Sequence, residues 1–271
     1  MLEFDSNIGL FKKKNVFFAE SPFDVGGYDE IMFHACPNRS VAKGFYSRVL
    51  TTSVIDLNQS IGLIWKKMDK GSCRWSIKSA IKKGVKVKIS QDYDTFLEIN
   101  HSFRTEKGLP DYNVTPEFMR KYGILFTAEY DGKILGGQFY LRDKKHMYWL
   151  IGASKYLESD RRTAMLIGHG NRLMVWEAIR YAKESGNQEF DLGGCFIIHD
   201  KRNPLYELSF FKKTFGGKLV IRYFYKRYYS KVLMGYEYAY PKIKKKLPLM
   251  FKILLPVIRK RIYKASVVDY I

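Results

Sequence analysis

Apolar and basic residues alternate through Val85-Lys86-Val87-Lys88-Ile89, the period-two pattern of a half-buried strand. Residues 92–107 change to a helical period, with Tyr93, Phe96, Leu97, Ile99 and Phe103 on the apolar side. Thr115-Pro116-Glu117 opens a short helix with a capping hydroxyl and a proline at its first position. Three apolar runs follow, at 124–130, 133–141 and 146–153, joined by Asp131-Gly132 and by residues 142–145. Asp-Gly between two apolar runs is a strong hairpin signal. Leu173, Val175, Trp176, Ile179 and Tyr181 predict a long amphipathic helix over 171–184, stopping at Gly186. A strand over 189–192 leads into Gly193-Gly194, a helix over 205–214 ends at Gly216-Gly217, and 218–229 forms the last extended segment.

Before Val85 the pattern is less regular. Residues 16–20 read as a short strand running into the turn-rich loop Ser21-Pro22-Phe23-Asp24-Val25-Gly26-Gly27-Tyr28. The β-branched residues of 47–55 predict a strand closed by Asp56. A helix over 61–68, capped by Asn58 or Ser60, and a second over 73–83, ending at Gly84, complete this part. The expected fold class is α/β, with a mixed α+β sheet, in three parts: an N-terminal extension over 1–84, a core over 85–229 and a basic helical tail over 230–271. Strand, two helices, three-strand meander, helix, strand, helix, strand is the element order of the GNAT acyltransferase fold. That order describes topology and does not by itself give an activity.

Of the 271 residues 46% are hydrophobic, enough for a sizeable core, and this excludes a globally disordered chain. Lysine and arginine number 47 against 27 acidic residues, a net charge of +20. That excess points to a polyanionic partner: nucleic acid, an anionic membrane surface or a phosphorylated substrate. Cys36, Cys73 and Cys195 lack metal-ligand spacing and suit a reducing compartment. The first 14 residues hold no continuous apolar stretch, so a secretory signal is not expected. The longest apolar stretch, 247–258, is broken by Lys252 and Pro256 and is too short for a bilayer span. The expected location is therefore cytoplasmic, with a peripheral place at the inner face of the cytoplasmic membrane. From Arg222 onward bases alternate with aromatics, and Lys242–Lys246 and Arg259-Lys260-Arg261 flank the apolar 247–258. Such a tail lies on an anionic membrane, holds tRNA by phosphate pairing and stacking, or packs on its own domain. The histidines form no i, i+4 pair, and neither Cys195 nor any serine has an activating partner that spacing identifies, so metal and covalent catalysis are not expected.

Four segments carry a family resemblance. Residues 176–183 with Gly186 and then Phe190-Asp191-Leu192-Gly193-Gly194 resemble the helix-to-strand unit of FemABX-type aminoacyl-transferases. Phe211-Lys212-Lys213-Thr214-Phe215-Gly216-Gly217 is similar to their F-K-x-x-F-G-G ending, and Ser21-Pro22-Phe23-Asp24-Val25-Gly26-Gly27 to a glycine-rich loop of single-domain members. Residues 74–87 resemble the basic helix-to-strand entry. The resemblance implies an N-acyltransferase that places a carbonyl beside an amine and works by positioning and preorganised donors. It implies that Lys212, following Phe211, stabilises the tetrahedral intermediate, while Lys213 points about a quarter-turn away. Asp191 either takes a proton from the acceptor amine or caps its own turn. Gly193 and Gly194 admit a ligand close to the backbone and offer amide donors, or form a plain tight turn. Arg74, Lys78 and Lys82 share a helical face suited to phosphates or to solvent, and Tyr206, Gly26 and Gly27 complete the candidate substrate contacts. No tightly bound cofactor is expected, the acyl donor being a co-substrate: aminoacyl-tRNA, acyl-CoA or acyl carrier protein. Residues 159–165 lack the glycines of the acyl-CoA loop, which turns the reading away from acyl-CoA. The expected acceptor is a phosphorylated or lipid-linked cell-envelope precursor. The alternative is a non-catalytic RNA- or membrane-surface-binding protein that keeps the fold.

Overall fold

The structure is a computed structural model that describes residues 1–109, 114–157, 159–203 and 205–246. The strands are β1 (Leu2–Ile8), β2 (Phe11–Phe17), β3 (Glu30–Cys36), β4 (Tyr46–Asp56), β5 (Lys86–Ser90), β6 (Gly123–Tyr130), β7 (Lys133–Arg142), β8 (His146–Ser154), β9 (Glu189–Gly194) and β10 (Lys218–Tyr228). The helices are α1 (Ile61–Lys67), α2 (Trp75–Lys82), α3 (Tyr93–Glu106), α4 (Pro116–Tyr122), α5 (Arg161–Glu184), α6 (Leu205–Lys213) and α7 (Lys231–Lys246). A π-helical turn, Lys70–Arg74, runs directly into α2. The architecture is the expected mixed α/β fold. Two compact units divide it, Thr51–Val220 and a smaller one of Met1–Leu50 with the chain from Ile221 on. Residues 51–84, assigned from sequence to the N-terminal extension, belong to the larger unit.

In the larger unit the strand order is β4-β9-β8-β7-β6-β5. β5 to β8 form an antiparallel meander, while β8 and β9 run parallel, with Met147 opposite Phe190. A parallel pair needs a long crossover, and α5 supplies it. Leu166, Ile167, Leu173, Val175, Ala178, Ile179 and Ala182 of α5 are buried in a core shared with Ile64, Ile77, Phe126, Tyr140, Phe190 and Phe215. This helix starts ten residues before the predicted Asn171. Gly168-His169-Gly170 hides its start in the sequence. A Cβ on Gly170 would lie 3.6 Å from both Ala128 and Val85, an ordinary packing contact, and one on Gly168 would meet nothing within 4 Å. Of the two proposed caps for α1, Ser60 is the one used, its hydroxyl accepting from the Leu63 amide at 3.3 Å.

The two glycines after Phe215 have a packing role. Gly216 has φ +72°, and a Cβ there would stand 2.4 Å from the Lys67 carbonyl oxygen at the end of α1. A Cβ on Gly217 would stand 2.6 Å from Ser53 Oγ. Gly216→Ala is therefore expected to cost about 1–3 kcal/mol, seen as a lower urea midpoint at unchanged m. Gly132→Ala, at φ +70° in open space, should cost less.

In the smaller unit β1 pairs antiparallel with β2, β2 parallel with β3, and β3 antiparallel with β10. β2 covers Phe11–Phe17 where the sequence suggested 16–20, and β1 and β3 were not foreseen. The reason lies in which side chains point inward. Lys13 and Asn15 are fully buried, so the inner face of β2 reads as polar. Phe18, with φ 63°, ends the strand. Lys13 Nζ meets Glu30 at 2.8 Å and Glu237 of α7 at 3.5 Å, and Lys226 meets the same two carboxylates at 3.5 and 2.9 Å. Burial opposes ionisation of Glu237, but the two ammonium groups and the Tyr228 hydroxyl outweigh it and hold its carboxyl down at about 2. The apolar part of the predicted basic tail, 247–258, lies outside the described residues.

Candidate active site

In the larger unit, the end of β9 and the last turn of α6 come together. Lys212 is 8% exposed, and its ammonium donates to the Gly194 carbonyl at 2.9 Å while lying 5.3 Å from the centre of the Trp149 ring. Burial pushes its pKa down to about 8, with the nearby Asp191 carboxylate opposing the shift. Lys213, next in sequence, is exposed.

Asp191 holds the turn. Its Oδ1 accepts the Gly193 amide at 2.7 Å and its Oδ2 accepts the Thr52 hydroxyl at 3.2 Å. The Gly193 N–H is thus already engaged and is not the ligand donor that the sequence suggested. What Gly193 contributes is conformation and room. Its φ is +72°, and a Cβ would lie 3.3 Å from the Tyr148 hydroxyl and 3.6 Å from Lys212 Nζ.

Phe211 lies half-buried between two partners, its ring 6.0 Å from Trp149 and 4.8 Å from the Arg172 guanidinium. Arg172 donates to the Gly168 carbonyl at 3.3 Å. The structure thus brings Asp191, Gly193, Gly194, Phe211 and Lys212 together and adds Trp149 and Arg172, which sequence reading passed over. Trp149 stands in an apolar strand where it reads as core. Arg172 lies inside the helix predicted over 171–184, where an arginine reads as solvated.

The other candidates are more scattered. Arg74 ends the π-turn half-buried, and Lys78 and Lys82 are exposed on α2. Tyr206, at the start of α6, stacks on Phe210 with ring centres 6.3 Å apart. Gly26 and Gly27 belong to the smaller unit, where Asp24 of the same loop pairs with Arg227 at 2.9 Å and accepts from the Tyr229 hydroxyl. Cys195 is buried, its thiol 3.6 Å from the Ser209 carbonyl, and burial raises its pKa. Among the described residues no group of three or more His, Cys, Asp or Glu side chains is placed to hold a metal ion.

Residues 74–202 match the family model of the acetyltransferase (GNAT) domain. Over that segment, a little under half of the chain, the sequence is similar to a GNAT domain. The fold is FemABX-like: the crystal structure of FemX superimposes with a TM-score of 0.55 at 16% identity, over 76% of this chain and 67% of that one. The C-terminal domain of a putative lysylphosphatidylglycerol synthetase from Agrobacterium fabrum gives 0.54 at 14% identity, over 76% and 70%. L-PGS from Bacillus licheniformis gives 0.51 at 12%, over 76% and 70%. At these identities the likeness is one of fold. No curated protein matches the chain. The GNAT match begins at Arg74 and ends at Arg202, so Phe211 and Lys212 follow the matched segment. Among the described residues no helix is long and apolar enough to cross a membrane.

Proposed function

We propose that this protein transfers an acyl or aminoacyl group to an amine of a cell-envelope glycan or peptide precursor, by direct attack without a covalent enzyme intermediate. The observation that carries the reading is the buried Lys212 ammonium beside the Gly193-Gly194 turn. Attack of an amine on a carbonyl turns the carbonyl oxygen into an oxyanion. A buried ammonium beside the Trp149 ring interacts with that charge far more strongly than a solvated lysine does. One of its three N–H bonds is given to Gly194, leaving others for the oxyanion. Asp191 positions the turn, and the leaving group departs with the proton that the amine loses.

The first turn of α5 bears on the donor. Enzymes of this fold that use acyl-CoA seat its pyrophosphate on a helix N-terminus. Here the Asp160 carboxylate already accepts the Arg162 and Thr163 amides at 2.8 and 3.1 Å. The Thr163 hydroxyl and these amides hold its pKa down, so it is ionised at neutral pH and repels a pyrophosphate. This supports a charged tRNA or an acyl carrier protein as co-substrate over acyl-CoA, in line with the net charge of +20.

The test is a mass-spectrometric assay of charged tRNA, acyl carrier protein and acyl-CoA donors against envelope amines. Product from one of the first two supports the proposal. No transfer from any donor, together with salt-dependent RNA binding, would favour the non-catalytic alternative. The pH profile adds a second check. Because Lys212 must be protonated to stabilise the oxyanion and its pKa is about 8, kcat should fall as pH rises through that value. In an active Lys212→Arg variant that limb should disappear, and a limb that persists would assign it to another group.

A further inference from the structure

Two half-buried arginines of the larger unit each keep a buried N–H without an acceptor. Arg172 Nε and Arg74 Nε are buried and have no hydrogen-bond partner, and no described carboxylate pairs with either guanidinium. Burial lowers the pKa of Arg172, the expected result of removing a guanidinium from water. Trp75, next to Arg74, meets His169 of α5 with ring centres 5.1 Å apart, which brings the end of the π-turn to the part of α5 that carries Arg172. The acid beside the arginines is Asp69, and its Oδ1 is taken by the Ser72 amide and hydroxyl, both at 2.6 Å. A buried N–H donor without an acceptor is costly, so two of them in one region point to an acceptor from outside the chain.

We propose that Arg172 and Arg74 form a binding site for a substrate phosphate, next to the acyl-transfer site at Lys212. Guanidinium forks match the oxygens of a phosphate, and two together suit a group of more than one charge. The surrounding sequence agrees: residues 61–90 contain nine basic residues and one acid, Asp69. The connection to Lys212 runs through Phe211, whose ring centre lies 4.8 Å from the Arg172 guanidinium and 6.0 Å from the Trp149 ring. A phosphate held by Arg172 sets the adjoining part of the same molecule over these rings, within reach of the ammonium. The place of this site in a reaction rests on the function proposed above, but the binding does not.

The test is calorimetric titration of inorganic pyrophosphate into the full chain and into Arg172→Gln, Arg74→Gln, the double variant and Lys78→Gln. The wild type should saturate, and each arginine variant should bind about tenfold more weakly or worse. The double variant should lose less than the two single losses combined, because either change breaks the same site. Lys78, exposed and screened, should change affinity by less than about threefold. No saturation in the wild type, or equal losses in Arg172→Gln and Lys78→Gln, overturns the site. Thermal melts without ligand separate lost binding from unfolding. If Arg172→Gln does not fold, Arg172→Lys, which keeps the charge and loses the fork, should still weaken binding about fivefold. Two further titrations identify the source of the phosphate. Tighter binding of a nucleoside diphosphate than of pyrophosphate assigns it to a nucleotide, and tighter binding of short-chain phosphatidylglycerol assigns it to a lipid headgroup. If neither binds, the arginines hold an adventitious ion only and the proposal fails. None of these measurements involves turnover, so loss of the phosphate site and loss of the Lys212 mechanism are distinguishable.

Discussion

Lys212→Met is expected to lower kcat about 10²- to 10³-fold and at the same time to raise the melting temperature. The two effects have one cause. An ammonium pushed from 10.5 to about 8 by burial is held in its charged form at neutral pH at a cost of about 3 kcal/mol. Methionine fills the same space beside Trp149 with no charge to desolvate. Against that gain stands the lost hydrogen bond to the Gly194 carbonyl, about 1 kcal/mol. A net stabilisation of about 1–2 kcal/mol remains. The sign can be checked by pH. Because the folded-state pKa is lowered, the unfolded chain binds more protons between about 8 and 10.5, so wild-type stability gains from this group as pH rises through that window. The methionine variant lacks that gain. Denaturant titrations at pH 7 and pH 10 test this. Unchanged activity would remove the oxyanion role, and a variant less stable than wild type at pH 7 would show that the lysine is not held at a cost.

Lys13→Met should be the most destabilising of the substitutions considered, by about 3–5 kcal/mol, although it exchanges a lysine for an apolar side chain in a buried place. The lysine is fully buried with Glu30, likewise fully buried, at 2.8 Å. Its removal leaves Glu30 with Lys226, 3.5 Å away, and with the repulsion of Glu237. Glu30 then takes up a proton to remain inside. The loss should therefore be smaller at pH 5 than at pH 8, since protonation of a group whose folded pKa is raised costs less at low pH. Lys13→Met combined with Glu30→Leu should recover most of the stability, because both charges are then gone and neither is left unpaired. A double variant as weak as the single one would show that the loss comes from packing.

The readable parts of the sequence were those whose inward positions are apolar. β6, β7 and β8 are nearly continuous buried runs, with Phe126, Phe139 and Met147 all in the core, and Asp131-Gly132 forms the turn between the first two. β2 could not be read because its core-facing positions include Lys13 and Asn15. The apolar rule fails where a charge network replaces hydrophobic packing. α5 was cut short because Gly168 and Gly170 read as poor helix formers, although the helix runs through both. At the candidate site, Lys212 and Phe211 were legible through the F-K-x-x-F-G-G segment, although its glycines prove to fit α1 and β4 and not a ligand. Arg172 was not legible: an arginine on a helix reads as solvated, and only its place over the Phe211 ring reveals that it is not.

The smaller unit is assembled from both arms of the chain, with β3 paired to β10 through Tyr225 opposite Phe33. During synthesis, β1, β2 and β3 leave the ribosome long before their partner strand exists. The intervening 51–220 can close its own sheet and core first. Until β10 arrives, β3 presents an open edge and Lys13 and Glu30 wait without the Lys226 and Glu237 that complete their network. On this topology the first fifty residues cannot complete their sheet until the chain beyond Ile221 has been made.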